Sequence, residues 1–114
     1  MNINGKEYGF KLTVGASVQI ARLCPEGDIS RIAEAVGKGY GEQAETMAKL
    51  VVALNGGYVA AEEFEGRKAN RLTLDNVLSL TPTIFTELSQ EAFKAFLGDA
   101  KGEIEIEKKA GAEG

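Results

Sequence analysis

At 114 residues, with 44% hydrophobic and 26% charged side chains, the chain has the size and composition of one globular domain with one core. A net charge of −4, with adjacent cations only at Arg67-Lys68 and Lys108-Lys109, argues against nucleic acid and anionic lipid as partners. With no His and a single Cys, Cys24, the usual zinc ligands, the commonest general base and an internal disulfide are all excluded, so neither a metal nor a cofactor is expected.

The N-terminus opens with Met1-Asn2-Ile3-Asn4-Gly5, which has no apolar secretory core. Asn4-Gly5 is a strong two-residue hairpin signal, because both central residues of a type I′ turn need positive φ. The flanking strands are expected over Met1–Ile3 and Lys6–Thr13. In the second strand Tyr8, Phe10 and Leu12 alternate with Glu7, Gly9 and Lys11, giving one apolar face. A lone hairpin is marginal in water, so this face is expected to lie on helices.

Thr13 is placed to cap a first helix, Val14–Cys24, with Ala16, Ile20, Leu23 and Cys24 as its stripe. Pro25 disfavours helix at the residue before it and ends that helix. Asp28 caps a short second helix in which Ile29, Ile32, Ala33 and Val36 share a face, and Gly37 suits the left-handed position after it. Residues 37–41 then read as a glycine-rich connector. A third helix is expected over Glu42–Asn55, with Ala44, Met47, Ala48, Val51 and Leu54 inward and Asn55-Gly56-Gly57 as its stop. The longest apolar run, Leu50–Leu54, lies here and is far below the roughly 20 residues that span a bilayer, so no membrane is expected and the protein is expected in the cytoplasm.

Tyr58–Phe64 reads as a short fourth helix, and 66–70 as a polar loop. Thr73 caps a helix over Leu74–Leu80. Thr81-Pro82 starts the last helix, Pro82–Leu97, because Thr is a good cap and Pro is favoured at the first helical position. Gly98 is expected to follow its end. The pattern predicts a predominantly α-helical α+β fold, a β-hairpin packed on about four to five short helices. Residues 1–98 are expected to form one globular domain, and 99–114 a charged, flexible C-terminal tail. Within that tail Glu103 to Glu107 alternate with Ile104 and Ile106 at period two, so this stretch could add as an edge to a partner's sheet.

No constellation of reactive residues stands out. Glu62, Glu63 and Glu65 lie in a polar stretch rather than the apolar surroundings a raised carboxyl pKa requires. Cys24 sits at a helix C-terminus, which disfavours thiolate, and has no His beside it. Gly37-Lys38-Gly39-Tyr40-Gly41 lacks the Lys-Ser/Thr pair and preceding strand of a phosphate loop. The chain is therefore expected not to be an enzyme. The last helix carries more information. Its apolar residues cover an arc of about 220° at about 100° per residue, wider than a helix packed on one side needs. Phe85, Leu88, Ala92 and Phe96 line the centre of the arc and are expected to face the core. Phe93 and Leu97 lie to one side and are expected to bind another copy or a partner.

The opening Ile3-Asn4-Gly5-Lys6-Glu7-Tyr8, then Phe10-Lys11-Leu12-Thr13 and a short amphipathic helix, resembles the tail assembly chaperones of long-tailed bacteriophages. Leu72-Thr73-Leu74-Asp75-Asn76-Val77 leading into a terminal helix, and the Glu/Lys-rich end, are similar too. The resemblance covers the first 13 residues and the last third of the chain. It implies a helical protein of the host bacterial cytoplasm, made during virion assembly and absent from the finished particle. Such a protein binds the tape measure protein, keeps its apolar helices soluble and helps recruit tail tube subunits. It also implies no catalytic residues, and this chain resembles the family's short form rather than the frameshifted long one. A head–tail joining component, or a generic interaction module, is the alternative.

Overall fold

Asn4 and Gly5 take φ of 53° and 83° and turn the chain between β1 (Asn2–Ile3) and β2 (Lys6–Glu7). The strands pair antiparallel, Asn2 opposite Glu7 and Ile3 opposite Lys6, which is the hairpin that Asn-Gly favours. A computed structural model of the chain describes residues 1–113, with side chains described for 1–99. After the hairpin come α1 (Val14–Leu23), α2 (Ile32–Val36), α3 (Tyr40–Phe64), α4 (Leu74–Leu78) and α5 (Pro82–Glu113), with 3₁₀ turns at Pro25–Gly27 and Ile29–Arg31. The fold is α+β and predominantly helical, a hairpin packed against five helices.

The ladder is shorter than the alternation predicts, ending at Glu7 rather than Thr13. Residues 8–13 leave it because they find partners on α3. The Lys11 amide donates to the Leu54 carbonyl at 3.0 Å, and Asn55 Nδ2 donates to the Gly9 carbonyl at 3.1 Å. Tyr8, Phe10 and Leu12 still turn toward the core, as the alternation requires.

Local signals place the helix starts. Thr13 Oγ1 accepts from the Ala16 amide, and Asp28 Oδ1 from the Ser30 amide. Thr73 and Asn76 form a reciprocal capping box, and the Phe85 amide donates to the Thr81 carbonyl at 2.9 Å to open α5. In the short second helical stretch Ile29, Ile32 and Val36 are half-buried as expected, but Ala33 is exposed and Ala35 packs on the core instead. The stretch begins as a 3₁₀ turn, which shifts the inward face.

The largest departure is α3. Residues 40–64 form one helix where the sequence predicts two helices broken at Asn55-Gly56-Gly57. Gly57 is there for close approach, not for a turn. A Cβ on Gly57 would stand 2.4 Å from the Lys11 carbonyl oxygen and 2.9 Å from Thr13 Oγ1. Asn55 is fully buried, and its amide joins three segments. Nδ2 donates to the carbonyls of Gly9 and Asn70 (3.3 Å), and Oδ1 accepts from the Leu72 amide at 2.7 Å.

α5 also continues past its expected end at Gly98, to Glu113. Glycine inside a helix costs only about 1 kcal/mol, and the Glu, Lys and Ala residues beyond it are good helix formers. Asp99, just past the glycine, accepts the Leu12 amide at 2.9 Å and ties α5 to the N-terminal segment. The core lies around α3, which packs on α1, α2, α4 and α5. Ile20, Leu50, Val51, Leu54, Val77, Leu88 and Ala92 are almost wholly buried in it.

Candidate functional site: an apolar groove

Because α3 begins at Tyr40 and not after the glycine connector, its first two turns run beside α5. Tyr40, Gln43, Ala44 and Met47 form one wall of a groove. Phe85, Thr86, Ser89, Gln90, Phe93, Lys94 and Leu97 form the other. Its volume is about 490 Å³. A smaller hollow of about 90 Å³, floored by Val77, Leu78, Leu80 and Pro82, shares Tyr40, Ala44 and Phe85 with it. The two make one apolar strip from the end of α4 along α5 to Leu97. Sixteen residues of α5, 82 to 97, correspond to about 24 Å, or about four helical turns.

The expected outward pair lines this groove. Leu97 is 53% exposed, and Phe93 is half-buried, its ring stacked on Phe96 at 5.8 Å between centroids. Leu88, Ala92 and Phe96 are buried as the arc predicts. Phe85 packs against the core as expected but is only half-buried, and it also lines the groove. Ile104 and Ile106 lie outside the residues whose side chains are described. The backbone through them is assigned to α5, in place of the extended edge that their period-two alternation predicts.

The α3 wall is the part sequence reasoning missed. Ala44 and Met47 are read as inward-facing, and both are half-buried where the groove opens. Tyr40 is read as connector and instead stands at the mouth, 71% exposed. Its place follows from Gly39, whose φ of 88° and ψ of 150° turn the chain directly into α3. Other large apolar side chains, such as Phe64 and Val14, are exposed singly, which is ordinary for a surface.

The chemistry of the groove is that of a contact surface. Among the described residues, Lys94 is the one charged side chain lining it. The groups whose pKa is displaced among the described residues lie elsewhere. Burial, and then the nearby Asp28 carboxylate, push the Cys24 thiol up. Hydrogen bonds from Arg67 and Arg31 hold Glu62 and Glu34 below the usual carboxylate range, and hydrogen bonds from Ser30 do the same for Asp28. Ser89 Oγ is buried in the groove wall without a hydrogen-bond partner. Among the described residues, no group of three His, Cys, Asp or Glu side chains is arranged to hold a metal ion, and no helix is long and apolar enough to cross a membrane. Compared with protein-family models, curated proteins and solved structures, the chain has no match.

Proposed function

We propose that this chain is a non-enzymatic phage tail assembly chaperone of the host bacterial cytoplasm, absent from the finished particle. Its α3–α5 groove holds an apolar helical segment of the tape measure protein. The supporting observation is the groove itself: about four turns long, walled by Phe85, Phe93, Met47 and Leu97, and nearly free of charge. Such a surface suits an amphipathic helix with anchors at i, i+3 or i+4, and i+7. Held there, the client's apolar face is withheld from other copies of itself, while the acidic surface of the chaperone keeps the complex soluble. Tail tube subunits are then recruited to a client that has not aggregated.

Co-expression tests the proposal. The cognate tape measure protein should be soluble with the wild-type chain and largely insoluble with Leu97→Asp, a substitution at a half-exposed position that leaves the core alone. A client equally soluble with the wild type, with the variant and with no chaperone would refute it.

A further inference from the structure

A second surface lies on the opposite side of α3. At about 100° per residue, Lys49, Ala53, Gly56 and Ala60 fall roughly 180° around the helix from Tyr40, Ala44 and Met47. They run beside α1 and form a trough of two adjoining hollows, about 300 and 240 Å³, which share Gln19 and Ala53. Gly15, Ala16, Ala53 and Gly56 give it a floor of small residues, and Leu23, Val52 and Leu74 make one end an apolar seat. Arg22 and Lys49 stand at that end. Arg71 closes the other, its Nη1 3.7 Å from where a Cβ on Gly56 would stand. These cations are far apart in the sequence and meet only in the fold. Among the described residues no Asp or Glu lines either hollow, in a chain whose net charge is −4. Arg22 and Arg71 are exposed and enter no ion pair among the described residues. Lys49 Nζ lies 3.2 Å from Glu45 Oε1 in an exposed i,i+4 pair, a weak kind that yields to a better partner.

We propose that this trough docks an acidic polypeptide segment of a partner. An apolar side chain of the segment sits against Leu23, Val52 and Leu74. One of its carboxylates meets Arg22 and Lys49, and another meets Arg71. Charge complementarity carries the assignment. Three cations gathered around a hollow without a carboxylate leave positive charge that the chain's own acids, though more numerous, do not neutralise. A guanidinium also matches a carboxylate in shape, through two parallel hydrogen bonds. Arg71 lies over Gly56, seven residues along α3 from Lys49, which sets the carboxylates about 10 Å apart. Three residues of extended chain or two turns of helix span that distance. Nucleic acid fits less well, because among the described residues no aromatic side chain lines the trough for bases to stack on. The inference goes beyond the chaperone reading and does not depend on it, since it uses the other face of α3. Both faces can be occupied at once.

Fluorescence anisotropy of the full chain with a labelled, end-blocked peptide of repeating Glu-Leu-Glu-Ala tests it. The peptide should bind saturably at low salt and weaken about tenfold between roughly 50 and 300 mM salt. The same peptide with Gln in place of Glu should bind about tenfold more weakly. Arg22→Gln and Arg71→Gln should each weaken binding about two- to fivefold, as exposed ion pairs allow, with helicity by circular dichroism unchanged. Glu45→Gln, which releases Lys49, should tighten it about twofold, a gain that a damaged fold does not produce. Leu97→Asp, in the other groove, should bind as the wild type does. A Glu peptide that binds no better than its Gln counterpart overturns the proposal, and so do arginine variants that bind like the wild type. Single-stranded oligothymidylate held as tightly through the same arginines would overturn the polypeptide assignment. A tape measure protein that stays insoluble with this chain would sink the chaperone reading and leave this one standing.

Discussion

Asn55 is the residue on which the arrangement of segments turns. Its side-chain amide satisfies two carbonyls and one amide belonging to two stretches of chain that it ties to α3: the post-hairpin segment and the loop between α3 and α4. Replacing it with Leu fills similar space but leaves the Leu72 amide and the Gly9 and Asn70 carbonyls to find new partners. Asn55→Leu is expected to lower unfolding free energy by about 2–4 kcal/mol in urea melts, the range for disrupting a buried hydrogen-bonded network. A loss under half a kilocalorie would mean that the three segments hold their places without it. Nothing in the sequence singled out this asparagine. An Asn before two glycines has the composition of a turn, and only the tertiary partners reveal that it is a buried clasp. The outward placement of Leu97, by contrast, follows from helical geometry alone and could be read directly.

At the scale of elements, the local punctuation was legible wherever its chemistry is local. The Asn4-Gly5 turn and the caps at Thr13, Asp28, Thr73 and Thr81 each depend on residues within a few positions, and each stands where the sequence places it. The glycines were misread because their reasons lie far away in the chain or in empty space. Gly57 admits the backbone of residues 11–13, whereas a Cβ on Gly98 would meet nothing within 4 Å. The two therefore predict opposite responses to the same change. Gly57→Ala should destabilise the domain by about 1–3 kcal/mol, since the Lys11 backbone must move. Gly98→Ala should stabilise it by about 0.5–1 kcal/mol through helix propensity. Thermal melts of both variants check this, and a destabilised Gly98→Ala would show that α5 needs flexibility at that point.

At the scale of the whole molecule, α3 and α5 are the two long helices and pack on one another, and the groove lies between the first two turns of α3 and residues 85–97 of α5. Half of the groove could be anticipated from the width of the apolar arc on α5. The other half required knowing that Tyr40 opens a 25-residue helix, which depends on the backbone angles of Gly39 and on a glycine pair that does not break the chain. The proposed function requires that this surface receive an apolar helix. The most direct measurement is an amide NMR titration of the ¹⁵N-labelled chain with a synthetic amphipathic helix from the tape measure protein. Saturable shifts concentrated in Tyr40–Met47 and Phe85–Leu97, with the hairpin and α1 little changed, are the predicted result. Saturable binding that leaves those two segments unmoved, or no binding to that peptide at all, would contradict it.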